Sequence, residues 1–406
     1  MTKSRWAALL GAAALSCAES VWAQSNQSFD GSLELEQRVF VQRLDQSGDP
    51  NRGQTSARLL MEYFRDWNNG ADQIVIEPFA RVDSDDEARS HLDLRQFLYS
   101  KIYDNAELSI GLGRVFWGVT ESQHLVDIIN QTDGVENIDG EDKLGQPMVR
   151  YTYFADFGTL EAFALPYFRP RTLAGEDSRL NGGLIVREDI EHYEAASGTS
   201  HFDYALRYKN TFGDWDLGLS WFDGTSRNPD LLRFANPFTG TTEAYYAQIT
   251  QAGLDLQLTT GAWLYKLEAI QRDFDDTNYE SYSAATLGTE YTLVGIFESV
   301  YDLGLLAEYS WDERDNPLDT VFQNDVFIGA RLALNDMADS QILFGLSNDL
   351  YETDSRAWFI EGSTRIGTAT TLNIEARLFD ANAPTDPLSR FDQHSFIQIG
   401  LEYFFD

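Results

Sequence analysis

The sequence predicts an all-β fold, an up-and-down antiparallel barrel of about eighteen strands that crosses a membrane, with sixteen as the alternative count. Three observations predict it. Apolar and polar residues alternate with period two in segments of about ten residues. The connections between these segments alternate between tight and long. After the first residues, no apolar run approaches the roughly eighteen to twenty that a spanning helix needs.

The alternation is cleanest around Tyr301. Tyr301, Leu303, Leu305, Ala307, Tyr309 and Trp311 fall on one face, and Asp302, Gly304, Glu308, Ser310 and Asp312 on the other, with Leu306 out of pattern. Similar strands run through Phe202–Tyr208, Trp215–Trp221, Trp263–Ala269, Val326–Leu334 and Leu372–Leu378. One apolar and one charged face suits a barrel wall or a soluble sandwich equally well. Loop lengths separate the two. Tight turns fall at Asp156-Phe157-Gly158, Thr211 to Asp214, Thr260-Gly261, Asn335 to Asp339 and Gly367-Thr368. Longer connections fall at 44–54, 118–146, 169–201, 224–243 and 381–391. A barrel with short turns at one rim and long loops at the other produces this rhythm, and a sandwich has no reason to.

On this rule the strands lie near 31–43, 55–65, 72–83, 91–103, 106–117, 147–155, 159–168, 202–211, 215–223, 245–258, 262–273, 280–293, 300–312, 321–334, 340–350, 355–366, 370–380 and 392–405. Leu184-Ile185-Val186 is left inside a long loop, because counting it would break the even parity of a closed single-chain barrel.

The N-terminus reads as an export signal. Lys3 and Arg5 precede an apolar run from Trp6 to Leu15, and Val21-Trp22-Ala23 forms a small-residue cleavage site. Residues 1–23 are therefore expected to be a signal peptide and 24–406 the barrel. A lipoprotein cut at Cys17 is the rival, with Ala14 where such signals usually carry Leu. Cys17 is the only cysteine, so the mature chain would hold no disulfide and no cysteine-based metal site. The net charge of −35 argues against nucleic acid, which needs clustered Lys and Arg. No His-Glu-x-x-His, Gly-x-Ser-x-Gly or P-loop pattern is present, and a Ser122/His124 pair is more simply incidental, so no enzyme is expected.

The C-terminus carries Gln398-x-Gly400-x-x-Tyr403-x-Phe405. This resembles the last strand of Gram-negative outer-membrane barrels of the porin-like superfamily. The one departure is Asp406, which follows the aromatic residue that usually ends such chains. The resemblance implies an outer-membrane location in contact with lipid and lipopolysaccharide, and recognition of this strand by the barrel-assembly machinery. It also allows a homo-oligomer.

With the apolar faces toward lipid, the lumen receives Arg207, Lys209, Lys266, Glu268, Arg272, Glu308, Asp325, Arg331, Glu361, Arg365, Glu375, Arg377 and Glu402. Charges in a water-filled bore tune which ions pass; cross-strand pairing that merely satisfies a polar interior is the plainer reading. The loop 118–146 carries Glu121, Asp127, Asp133, Glu136, Asp139, Glu141 and Asp142 around an apolar Leu125-Val126-Asp127-Ile128-Ile129. Long loops in similar porins fold into the bore and constrict it, and the apolar stretch suits that position. The alternative is an exposed surface loop. Asn137-x-Asp139-Gly140 hints at a calcium loop, but Val135 and Gln146 stand where the outer ligands belong. A weak Ca2+ site at the acidic loops or a solvated charge run remain as readings, and no other cofactor is expected.

The expected function is passive diffusion of small hydrophilic solutes, with a cation preference from the acidic loop. No energy-coupling plug domain fits before the first strand near Gly31. The alternatives are a plugged or structural barrel, or an exporter of a specific polymer.

Overall fold

The computed structural model describes residues 25–42, 52–236, 238–314, 320, 322–351, 355–383 and 386–406. The expected signal peptide lies outside the described residues, as does most of the first long loop.

The strands are β1 (Gln27–Phe40), β2 (Gly53–Trp67), β3 (Asp72–Asp83), β4 (His91–Ile102), β5 (Ala106–Gly113), β6 (Gln146–Ala155), β7 (Gly158–Leu165), β8 (Ile185–Tyr193), β9 (Asp203–Phe212) and β10 (Trp215–Thr225). They continue as β11 (Thr241–Tyr246), β12 (Gln248–Thr260), β13 (Trp263–Phe274), β14 (Tyr282–Leu293), β15 (Asp302–Asp312), β16 (Asn324–Ala333), β17 (Gln341–Asp349), β18 (Arg356–Ile366), β19 (Thr370–Asp380) and β20 (Phe396–Phe405). Eighteen of these form one sheet of antiparallel neighbours in chain order, and β1 pairs with both β2 and β20, which closes the barrel. The strands read from alternation all appear in the wall.

β8 and β11 stand outside it. They form a two-stranded parallel ribbon that joins the long loops after β7 and β10. Leu184-Ile185-Val186 is thus the entry into a loop strand, as the parity argument requires. Beside the ribbon, Tyr193 stacks on Tyr246 at 5.4 Å, and Phe168 meets Tyr246 edge-on at 4.9 Å.

The burial pattern is inside-out. Along β1, Leu35 is 56% exposed while its neighbour Glu36 is 4% exposed. Along β15, Leu305, Tyr309 and Trp311 face outward while Glu308, Ser310 and Asp312 are buried. Leu306, out of pattern in the sequence, points inward and is buried. A soluble sandwich would bury the opposite face. In water, each bared Leu or Val forgoes about 1.5–3 kcal/mol of burial. A wall that repeats this on strand after strand needs lipid around it. Closure then satisfies every backbone group of the wall without water.

The start of β1, the end of β20 and the tight turns share one rim. Gly213 (φ +63) and Gly261 (φ +61) take the left-handed backbone that two-residue hairpins demand. The long loops share the other rim.

The interior is filled on one side. Trp117, Val126, Ile128 and Ile129, from the segment between β5 and β6, pack on Met148, Phe163, Leu165, Ala205, Phe222, Ile249, Ile270, Tyr282 and Ala284 of β6 to β14. On this arc the inward face is apolar, which is why the loop lies against it. The other arc, from β16 round to β3, keeps its charges and faces an open cavity of about 940 Å³.

Candidate functional site

The segment 114–145 leaves β5 and enters the bore. Its neck is fixed by Asn130, which accepts from Val115 N (2.8 Å) and donates to Gly113 O (2.9 Å) and Leu144 O (2.8 Å). Gly118 follows at φ +146, where a Cβ would sit 2.9 Å from Glu268 Oε1. Only glycine allows that approach. The backbone then folds around two wall carboxylates. Val119 N, Thr120 N and Thr120 Oγ1 donate to Glu268 Oε1 at 2.7, 3.0 and 2.7 Å, and Val126 N donates to Oε2 at 3.2 Å. Glu121 N, Ser122 N and Ser122 Oγ donate to Glu308 at 2.8, 2.8 and 2.6 Å. Ionised acceptors make hydrogen bonds roughly twice as strong as neutral ones. Here they replace the water that backbone N–H groups inside a barrel would otherwise need.

The returning limb is held by the opposite wall. Arg81 binds Glu136 at 2.7 Å, Arg95 binds Asp133 at 2.5 Å, and Arg89 donates to the carbonyls of Val135 and Glu136, both at 3.1 Å. Toward β16 and β19, Arg331 binds Glu121 at 2.8 Å and Arg377 binds Asp139 at 2.9 Å. His124 reaches Glu141 at 3.1 Å. Burial works against its positive charge, but the carboxylates of Glu141 and Glu268, the latter 4.0 Å away, outweigh it and lift its pKa to about 10. The loop therefore holds a cationic histidine at neutral pH. Asp142 has no ion-pair partner among the described residues. Burial, aided by Glu136 and Asp139, pushes its carboxyl up to about 6.

Several expected lumen charges lie elsewhere than on open water. Glu268 and Glu308 face inward but are consumed by the loop backbone. Arg207 pairs with Asp255 at 2.9 Å under Trp117, and Arg272 donates to Gln251, both beneath the loop. Their placement depends on where the loop lands, which alternation does not encode. Lys209 reaches Glu161 at 3.5 Å, Lys266 reaches Glu290 at 3.8 Å, Asp325 is buried in register with Asp349, and Arg365 is exposed near the turn rim. Arg331, Glu361, Glu375 and Arg377 do line the cavity, and Glu402 is beside it, paired with Arg58 at 3.1 Å. Of the loop acids, Glu121, Glu136, Asp139, Glu141 and Asp142 border the cavity. Asp127 is instead tied to Lys143 and Trp117 N inside the loop, and Asp133 is buried against Arg95.

The sequence reading missed Glu34, Glu36, Arg58, Arg81 and Arg89, which line the cavity from β1, β2, β3 and the connection after β3. The first two were available, since Leu33-Glu34-Leu35-Glu36 alternates as cleanly as any stretch. Arg89 sits in a short connection with no period to reveal it.

The terminal motif divides as alternation requires. Gln398 and Gly400 border the cavity, while Tyr403 is exposed outside. A Cβ on Gly400 would lie 2.4 Å from Glu34 Oε1, so this glycine leaves room for the carboxylate. Phe405 covers Gly31 across the closing seam.

No cation site is assembled at 137–140. Asn137 donates its amide to Asp139 and Glu375, and its Oδ1 accepts from Ile138 N, while Asp139 is held by Arg377. His91, Asp133 and Glu136 also cluster with ligand-type atoms within 4.8 Å. Arg95 and Arg81 pair with its two carboxylates, and each arginine also meets a further acid, Asp93 and Glu36.

No family model matches the chain, and no curated protein matches it. Among solved structures, Pseudomonas aeruginosa OpdO is similar at a TM-score of 0.55 and 9% identity, over 95% of this chain and 97% of that one. A second structure of it, titled OccK3 (OpdO), aligns at 0.53 and 10%, over 93% and 95%. A mutant Rh. blastica porin aligns at 0.44 and 12%, over 94% and 100%. The closed wall and the two OpdO alignments agree on the architecture: the chain folds as an eighteen-stranded antiparallel β-barrel similar to that of OpdO.

Proposed function

We propose that the protein is an outer-membrane channel for passive diffusion of small hydrophilic solutes, with the segment 114–145 as its constriction and a preference for cations. The observation that carries this reading is the seating of that segment across the bore, which leaves a charged cavity along the opposite wall. Nine carboxylates line that cavity against five arginines and one histidine, so its net charge favours cations. On this reading the chain is exported through its leader, inserted by the barrel-assembly machinery that reads Gln398 to Phe405, and bathed in lipid and lipopolysaccharide. It catalyses nothing.

The test is conductance of the folded barrel in a planar bilayer, with the reversal potential under a salt gradient. Stable steps with a cation-selective reversal potential are expected. Folded, heat-modifiable protein that gives no steps would sink the channel reading and favour a plugged barrel.

Asp142 supplies a second expectation. Its folded pKa of about 6 lies above the usual carboxylate value, so it is charged above pH 6 and neutral below. Cation preference is expected to fall between pH 7 and pH 5 with a midpoint near 6. Asp142→Asn should remove that step and leave the residual preference flat. A reversal potential that is equally pH-dependent in both proteins would show that another group sets it.

A further inference from the structure

The cavity wall opposite the loop holds a second feature, built by three adjacent strands. Phe327 on β16 and Phe359 on β18 lie nearly parallel, at 4°, with centroids 5.6 Å apart. Between them runs β17, where Gly345 pairs with Phe359 on one side and with Gly329 on the other. A Cβ on Gly345 would lie 2.2 Å from Phe359 and 2.6 Å from Phe327. The two rings are therefore laid down over a bare backbone, and any side chain at 345 would lift them. Phe379, whose ring meets Phe391 at 5.8 Å, extends this apolar surface along β19. Phe327 is itself buried, at 3% exposed, so Phe359 and Phe379, each half-buried, are the rings that meet the bore, and an apolar face in a polar bore is costly unless something covers it.

The charges beside the rings say what would cover them. Asp139, Glu375 and Glu361 all converge on Arg377, at 2.9, 2.7 and 2.6 Å. One guanidinium faces three carboxylates, which leaves an excess of negative charge at the edge of the rings. Glu361 is the most open of the three, its side chain 44% exposed, and Arg377 holds it through Oε1. Arg377 also lies over the Phe359 ring at 5.0 Å, so this aromatic surface already takes a cation of the protein's own.

We infer that this wall is a binding subsite for small organic cations that carry a flat apolar body: the body lies on Phe359, which Phe327 backs from within the wall, and the cationic group meets Glu361. An anion of the same shape would meet the excess carboxylates and be repelled. A cation with no apolar body would gain the charge but not the rings. The inference deepens the channel reading by naming a solute class, and it rests on that reading only for transport, not for binding.

The test is a ligand-observed saturation-transfer titration on the folded barrel in detergent micelles, with benzylammonium, methylammonium and benzoate as probes. Benzylammonium is expected to bind about three- to thirtyfold more tightly than either of the others, since methylammonium lacks the stacking of ring on ring and benzoate lacks the charge that Glu361 meets. Phe359→Leu keeps an apolar side chain but removes the ring, and Glu361→Gln keeps the shape but removes the charge. Each is expected to cost most of that advantage, with heat-modifiability retained as the check on folding. Equal binding of benzylammonium and benzoate, or full retention of the advantage in both variants, would overturn the inference. The readout needs no ion flow. A barrel that binds benzylammonium selectively yet gives no conductance steps would disprove the channel and leave the subsite standing. A conducting barrel with no selectivity among the probes would do the reverse.

Discussion

Replacing Glu268 with alanine is expected to unseat the segment 114–145 from the bore. This carboxylate is fully buried and accepts three backbone N–H groups and one hydroxyl from Val119, Thr120 and Val126. A buried donor left without an acceptor costs about 1–3 kcal/mol, and water entering the gap recovers part of it, so a net loss of about 3–5 kcal/mol is expected. Two readouts should move together. The urea midpoint of the vesicle-embedded barrel should fall, and the single-channel conductance should rise and become noisy as the segment leaves the bore. Glu268→Gln retains one acceptor oxygen and should show a smaller change in both. A Glu268→Ala barrel with the wild-type midpoint and a quiet, unchanged conductance would mean that the apolar contacts of Trp117, Val126, Ile128 and Ile129, with the anchors at Glu308 and the arginines, hold the segment without it.

The second large effect is expected at Arg81. It is 3% exposed at its side chain and lies between Glu36 at 3.3 Å and Glu136 at 2.7 Å, donating also to Ser56 at 2.7 Å. Arg89 supports Glu36 independently at 2.8 Å, but it reaches Glu136 only through the backbone carbonyl. Arg81→Leu therefore strands a buried carboxylate. Loss of one partner from a buried pair typically costs about 3–5 kcal/mol, far more than the pair contributes relative to apolar replacements. The expected signature is non-additivity. Arg81→Leu alone should lower the urea midpoint strongly, whereas Arg81→Leu with Glu136→Leu should recover much of the loss. If the double substitution is as damaging as the two single ones combined, the pair is not coupled, and the stability lies in the Ser56 and Glu36 contacts.

The wall was legible because its code is local. Period-two alternation along Tyr301–Trp311 states which face meets lipid, and the glycine turns at 213 and 261 state where the chain reverses. Parity alone kept Leu184-Ile185-Val186 out of the wall; its partner strand β11 lies far along the chain and left no mark on it. The apolar stretch from Leu125 to Ile129 suited an inward seat for the segment 114–145 but left an exposed surface loop as the alternative, and only the packing on β6 to β14 decides between them. The identity of the open charges was not legible. Glu268 and Glu375 have the same local pattern, yet one is covered by the segment and the other faces the cavity, since that depends on contacts between distant parts of the chain. The ring surface was hidden for the same reason. Phe327, Gly345 and Phe359 acquire meaning only once three strands lie side by side.

The segment 114–145 is anchored at Glu268 and Glu308 on one side of the barrel and at Arg81, Arg89 and Arg95 on the other. Mechanically it is a tie-rod across a hollow cylinder. A ring of strands alone flattens easily, because shear between neighbours costs little when every pair keeps its ladder. A strut fixed to opposite arcs resists that ovalisation, and lateral pressure from the bilayer then loads these few ion pairs and hydrogen bonds rather than the width of the open passage beside them.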